Sequence, residues 1–400
     1  MKTSKANKTA LACGGELKNT FCFAKSVAGR GPSLYLSPII GGLENADAYA
    51  SFEKTLNEYE IMLESKPEII VHDLHPEYFS TKYALERIKK TGARGVGVQH
   101  HYAHAVACAA DSLMLDEIPL KNFSGRYFET AAINPEENFI GVSFDGLGYG
   151  DDGNLWGAEF LIFNFRGYKR ASRLEYVPLP GGAAAIREPW RMACVYLQDA
   201  FGDSFASLKI PFTENLPGDE WKTIKQMADK KINSPLISSM GRLFDAVAAI
   251  TGIRNKVDFE AQAAIELEAA ATQSKTGQLT AGSNSTLYKF DIKEGEPIRT
   301  AGVMRGIVED IKRGMPVSDI SLKFHLSVAE LILDTCKMLK KSTGINRLTL
   351  SGGVFQNRLL SDSAASLLRA SGFDVHTHKF LKPDDSSISV GQILGSGLEL

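Results

Sequence analysis

The chain has 400 residues, of which 44% are apolar and 23% charged, with 45 basic against 47 acidic side chains. That length suits two or three domains, each able to bury its own core. The near-neutral balance gives no electrostatic footprint for gripping DNA or an anionic membrane, and no apolar run approaches the roughly 18 residues that span a bilayer.

Met1 to Thr9 is polar and lysine-rich, without an apolar stretch behind it to make a signal peptide. A cytoplasmic location is the expectation. The five cysteines (Cys13, Cys22, Cys108, Cys194 and Cys336) are scattered and form no CxxC, so neither a zinc ribbon nor a disulfide framework is indicated.

Thr9 to Phe23 reads as strand, tight turn, strand, with Gly14, Gly15, Lys18 and Asn19 in the turn. Such a turn can bring backbone amides to an anion, with Lys18 adding charge; it can equally be a plain hairpin. Apolar spacings of three and four predict a helix over Asn45 to Ser65. Glu68 to Val71 is a buried strand ending in His72-Asp73-Leu74-His75-Pro76, and Thr81 to Lys90 is a helix. A second strand, Gly95 to Val98, runs into Gln99-His100-His101-Tyr102-Ala103-His104 and an alanine-rich helix. His100 and His104 then share one helix face, a relation in which two imidazoles can hold a metal ion. A helix start with solvent-satisfied histidines fits the same residues.

Asp116 to Asn138 breaks the pattern and reads as a surface insertion. Phe139 to Phe144 is a strong strand that delivers Asp145, Gly146 and Gly148 into a glycine-rich turn, followed by a strand at Leu155 to Phe163. This repeats the plan of the first hairpin, and internal duplication implies two lobes of one design facing a cleft. We divide the chain into a first lobe, 1–137, carrying the HxxxH helix, and a second, 138–400, whose last helix can pack back on the first.

Arg187-Glu188-Pro189-Trp190-Arg191 enters a helix, and its arginines suit a phosphate or carboxylate, or a surface ion-pair cluster. Ser238 to Thr251 is a capped helix with Arg242 and Asp245 near its start. Phe259 to Ala271, Ala301 to Arg313 and Leu322 to Lys341 are further helices. Arg347 to Ser351 is a buried strand that breaks at Gly352-Gly353 before a helix, where bare backbone can meet a phosphate or pack on adenosine. Asp385 opens the closing helix, Ile388 to Leu398, and on its own could be an N-cap.

Several of these stretches, taken together, resemble one family over nearly the whole chain. They are Gly14 to Thr20, His72 to Pro76, Val98 to His104, Phe144-Asp145-Gly146, Arg187 to Arg191, Gly241 to Asp245, Ser351 to Asn357 and Gly391-Gln392. The likeness is to the carboxy-terminal carbamoyltransferase region of HypF, the hydrogenase maturation protein. In fold it is similar to the tRNA threonylcarbamoyl transferases and the antibiotic O-carbamoyltransferases. The implied architecture is α/β, the duplicated ribonuclease-H-like fold of actin and the sugar kinases.

The resemblance implies a metal, zinc or iron, held by His100, His104, Asp145 and Asp385. It also implies ATP or a carbamoyl-adenylate bound by Gly14, Gly15, Lys18, Asn19, Gly146, Gly148, Asp245, Gly352, Gly353 and Asn357. Lys18, Arg187 and Arg242 are the catalytic candidates, and the carboxy-terminal cysteine of HypE is the expected acceptor. Two departures from the pattern concern loops: Ala183 follows Pro-Gly-Gly where an acidic residue is usual, and Ser386-Ser387 follow the ligand aspartate where glycines are usual. With no CxxC and a first motif starting at residue 11, an adenylate-forming unit is expected outside this sequence. Rival readings are a free-standing O-carbamoyl or threonylcarbamoyl-type transferase, a non-catalytic nucleotide-binding partner of a separate adenylate-forming protein, and a sugar or acetate kinase.

Overall fold

The computed structural model describes residues 9–26, 31–119, 124–131, 134–216, 220–275 and 287–398; the lysine-rich stretch before Thr9 lies outside them. Two mixed sheets organise the molecule. The first is built from β1 (Thr9–Ala12), β2 (Cys22–Lys25), β3 (Ser33–Leu36), β4 (Ile69–Asp73), β5 (Arg94–Val98), β6 (Leu115–Glu117) and β7 (Arg126–Thr130), in the order β5-β4-β1-β2-β3-β7-β6. Strands β1, β2 and β3 are antiparallel neighbours, whereas β4 and β5 run parallel to β1.

The second sheet holds β8 (Phe139–Tyr149), β9 (Leu155–Asn164), β10 (Gly167–Arg173), β11 (Val177–Pro178), β12 (Leu236–Ser239), β13 (Arg347–Ser351) and β14 (Asp374–His376). Here β8, β9 and β10 are antiparallel, and β13 and β14 run parallel to β8. The core order β10-β9-β8-β13-β14 therefore repeats β3-β2-β1-β4-β5 of the first sheet. Two ribonuclease-H-like units make up the fold.

Two helices run between the sheets. Of the first three helices, α1 (Ala46–Met62) and α2 (Phe79–Thr91) follow β3 and β4, and α3 (His100–Leu113) follows β5. From His100 to Asp111 every residue of α3 is buried, which explains its alanines: a helix enclosed on all sides needs short side chains for its neighbours to close in. The last helix, given its label below, crosses α3 so closely that a Cβ on Gly391 would collide with the Ala103 carbonyl. Its Ile388, Val390 and Ile393 share an apolar cluster with Ala10, Ala12 and Val71 of the first sheet and with Leu161 and Phe163 of the second.

The second lobe carries the remaining helices: α4 (Ala183–Arg187), α5 (Pro189–Phe201), α6 (Pro211–Glu214), α7 (Glu220–Asp229), α8 (Met240–Ile250), α9 (Gln262–Ala271), α10 (Ala301–Lys312), α11 (Val317–Thr343), α12 (Arg358–Ala370) and α13 (Ile388–Gly395). None of the helices among the described residues is long and apolar enough to cross a membrane.

Three expectations change. Residues 116–138 are not a plain surface insertion: β6 pairs with β7, β7 pairs with β3, and Phe128 is fully buried. The strand at Phe139 does not stop at Phe144. It continues to Tyr149 through a register shift between Phe144 and Gly148, so Asp145 and Gly146 sit in a bulge and not in a turn. Helix α9 begins at Gln262, leaving Phe259 and Glu260 on the segment before it.

Candidate metal and nucleotide site

Four polar side chains converge where the lobes meet. Gln99 caps α3, its side chain accepting the Tyr102 N–H at 2.8 Å, so the helix starts at His100 and places His104 one turn further along. Both rings are fully buried, with centroids 5.0 Å apart. From the β8 bulge, Asp145 Oδ2 lies 3.2 Å from His100 Nε2 and 3.4 Å from His104 Nε2. Asp385, in the turn before α13, brings Oδ1 to 3.8 Å from His100 Nε2 and 3.5 Å from His104 Nε2. One donor atom from each of the four lies within 4.8 Å of all the others.

Burial and mutual attraction set the charge of this cluster. Burial disfavours ionised imidazole and carboxylate alike. At His100 the loss of hydration is opposed by the Asp73 charge and by hydrogen bonds to Asp145 and Asp73, which hold the imidazole well above its usual range. Burial likewise works against ionised Asp145, but the facing His100 and His104 rings hold it well below the ordinary carboxylate range. His104 Nε2 has no hydrogen-bond partner among the described residues although it is buried. Two imidazoles and two carboxylates, facing one another and incompletely paired, fit a four-donor divalent site.

A further carboxylate, passed over in the sequence as part of a turn, backs this cluster. Asp73 ends β4, is fully buried, and its Oδ2 takes the His100 Nδ1 proton at 2.8 Å. The Nδ1 edge is thereby fixed against Asp73 and the Nε2 edge is turned toward Asp145, the arrangement that orients metal-bound histidines. Asp73 Oδ1 is itself held by the His75 N–H at 2.9 Å.

Asp145 also forms part of a cavity of about 300 Å³, lined mostly by second-lobe residues such as Glu260, Glu268 and Asn357 and by Lys18 of the first lobe. That volume is at the small end of ligand pockets. Gly146, Arg242, Asp245 and Gly353 are on its wall. Gly352 turns with φ +93°, and a Cβ there would collide with the Phe144 carbonyl. Only glycine lets this loop lie on β8, so that the Gly353 N–H reaches Asp145 Oδ1 at 3.3 Å. Arg242 and Asp245, both buried, pair at 2.8 Å. Asn357 caps α12 through Leu360 N–H at 2.9 Å, and its amide donates to buried His325 Nε2 at 2.9 Å. Burial drives the His325 imidazole down to about 4, which keeps it the neutral acceptor that this bond requires.

The other candidates have different neighbours. Gly14 exchanges hydrogen bonds with the Gln392 amide, which ties the first turn to α13. Gly15 lies beside Asp385. Asn19 donates to the Cys13 and Gly15 carbonyls at 2.9 and 2.7 Å, so its side chain braces the turn from within. Lys18 sits between Glu260, at 3.6 Å, and Asp384, at 3.8 Å. Gly148 packs beneath the histidines, where a Cβ would come within 2.8 Å of His100 Cδ2. Arg187 is exposed at the end of α4 and is not on the cavity wall.

Fold and site together define a two-lobed member of the actin and sugar-kinase superfamily with a buried histidine–carboxylate centre. Family comparison narrows this. Residues 141–392 match the carbamoyltransferase Kae1-like domain, second subdomain, and residues 5–111 match the HypF Kae1-like domain. The chain belongs to the HypF carbamoyltransferase family.

It is 32% identical to carbamoyltransferase HypF of Synechocystis sp. over 401 residues, covering 97% of this chain and 47% of that protein. A HypF homologue of Cupriavidus necator is 29% identical over 96% of this chain and 90% of its own length. The crystal structure of full-length HypF in its phosphate- and nucleotide-bound form superposes with a TM-score of 0.82 at 35% identity, covering 98% of this chain and 55% of that one. The chain spans about half the length of most of the curated relatives it matches.

Proposed function

We propose that this chain is the transferase part of a carbamoyltransferase of hydrogenase maturation, moving the carbamoyl group of a carbamoyl-adenylate to the carboxy-terminal cysteine of HypE. One observation carries the reading: Asp145 faces both the histidine pair and the cavity, so one side chain joins a cation site to a nucleotide-sized space. The full-length HypF relative was solved with a nucleotide bound, which supports a nucleotide as a ligand in this family.

His100, His104, Asp145 and Asp385 hold the metal, with zinc and iron both suited to such donors. A divalent ion there supplies Lewis-acid stabilisation of charge on the leaving phosphate. The chain's own groups do the rest. Lys18 and Arg242 supply positive charge at the phosphate side. The Gly353 region presents bare backbone, and Asn357 fixes the far end of the nucleotide. The acceptor thiolate is its own nucleophile, so no nucleophilic side chain is required of this protein.

Substituting His104→Ala or Asp385→Ala abolishes carbamoyl transfer from preformed carbamoyl-adenylate to a cysteine-ended peptide, read by mass spectrometry; retained transfer overturns the assignment. A second reading is a non-catalytic nucleotide-binding partner of a separate adenylate-forming protein; the C. necator homologue, 90% of whose length aligns with this chain, is of a length that fits either reading. Nucleotide binding by calorimetry without turnover of carbamoyl-adenylate would select it.

A further inference from the structure

Asp145 is aimed by an irregular piece of backbone. The β8–β9 ladder passes from Phe144–Ala158 directly to Gly148–Trp156, so Asp145, Gly146 and Leu147 of β8 stand opposite Gly157 alone. A bulge of this kind takes backbone groups out of the ladder and re-aims the side chains on it. The freed carbonyls then need donors from elsewhere.

Gly157 opens the way for one. A Cβ there would come within 2.8 Å of the Asp145 carbonyl oxygen and 3.1 Å of Ser239 Cβ. Ser239 ends β12, which pairs with the other side of β9 at Gly157. With no side chain in between, the serine reaches over β9 to the bulge on β8. Its hydroxyl donates to the Gly146 carbonyl at 2.7 Å and, sharing the same proton, to the Asp145 carbonyl at 3.1 Å. The oxygen also accepts the Arg242 N–H at 3.1 Å as the N-cap of α8. Gly241 lets the first turn of that helix settle on the bulge, since a Cβ there would meet Gly146 Cα at 3.0 Å.

One fully buried hydroxyl thus ties the backbone of Asp145 to the helix that carries Arg242 and Asp245 on the cavity wall. On the bulge itself, Asp145 Oδ1 accepts the Gly146 N–H at 2.8 Å, and Oδ2 is left to face the histidines.

We propose that Ser239 is a positioning residue for Asp145, holding the bulge so that Oδ2 is presented to His100 and His104. This deepens the transferase reading above and rests on its cation site. Ser239 is neither one of the four donors nor on the cavity wall; it acts through the backbone of Asp145 and Gly146. Without the hydroxyl the two carbonyls lose their donor and the bulge relaxes. The carboxylate then loses the fixed orientation that supports ligation.

A serine in this place could be a helix cap and nothing more, and the test separates the two roles. Glycine caps a helix nearly as well as serine and alanine does not, while both lack the hydroxyl. Zinc affinity is measured by competition with a chelating dye, and stability by urea titration of the metal-free protein. In Ser239→Gly and Ser239→Ala alike, zinc affinity falls about 10- to 100-fold, whereas stability falls clearly in Ser239→Ala alone. Zinc affinity that follows stability, lost in Ser239→Ala and kept in Ser239→Gly, reduces Ser239 to a cap and overturns the proposal. Equal losses of stability in both variants trace the effect to the fold and overturn it as well. Unchanged zinc affinity in both overturns the role of Ser239 and leaves the cation site standing. Wild type whose zinc affinity matches that of His104→Ala overturns the cation site, and this proposal with it.

Discussion

In the first lobe the central strand β1 ends at Ala12, and the turn beyond it is closed by its own side chains: Asn19 bonds two turn carbonyls, and Gln392 of α13 clasps Gly14. The equivalent strand of the second lobe, β8, runs on past Asp145 through a bulge, and the glycines there serve close contacts with neighbouring elements. The same strand order thus carries two different designs. The first lobe contributes the histidines, with Asp73 fixed behind them, and the second contributes the facing carboxylates Asp145 and Asp385 and most of the cavity wall. A duplicated fold has divided its labour between rigid ligand support and ligand space.

The sharpest way to break this division is Asp145→Ala, the residue that belongs to both designs. Metal content by elemental analysis and AMP affinity by calorimetry both collapse in that variant, whereas His104→Ala loses the metal and keeps AMP affinity. Asp73→Asn acts on the first lobe alone. It lowers metal affinity about 10- to 100-fold, measured by competition with a chelating dye, and leaves nucleotide binding unchanged.

A fourth variant addresses how Asp385 is held in place. Asp111 of α3 is buried and accepts the N–H groups of Lys379, Phe380 and Leu381 at 2.7 to 3.1 Å, anchoring the strap that leads to Asp385. Burial works to raise its carboxyl, but His378 and those three N–H groups outweigh it, and the folded-state value is lowered. The stability Asp111 contributes is therefore present above the unfolded carboxylate value of about 3.9 and is lost as pH falls through the lower folded-state value. In urea titrations wild type loses stability over that acid range, and Asp111→Asn shows a flatter pH dependence and lower stability at pH 7. The smallest effect belongs to Asn357→Ala, which removes a helix cap at a cost of about 1 kcal/mol and weakens AMP binding in the second lobe without moving metal affinity.

Sequence periodicity carried much of this. The helix beginning at His100, the i, i+4 pair and the repeated strand–turn–strand plan all follow from local spacing. Asp73 was harder to see. In His72-Asp73-Leu74-His75 the inward residue depends on how β4 pairs with β1 and β5, which no local pattern discloses. Gly148 looked like a turn residue because a bulge inside β8 mimics one; its contact is with rings delivered from 48 positions earlier in the chain. Residues 126–130 hid as an insertion because a strand of mixed polarity, with Phe128 and Thr130 turned inward, lacks the continuous apolar run of a central parallel strand. Tyr78 and His75 carry no spacing signal at all; their rings stack, with centroids 4.1 Å apart, because the β4–α2 turn folds back on itself.

The account stands most directly on the joining of cation and nucleotide through Asp145. Anomalous scattering from crystals of the purified protein grown with AMP provides the measurement. A single zinc or iron peak among His100, His104, Asp145 and Asp385, with AMP in the adjoining cavity, is the predicted result. A cation bound elsewhere, or AMP seated away from Asp145, would contradict it.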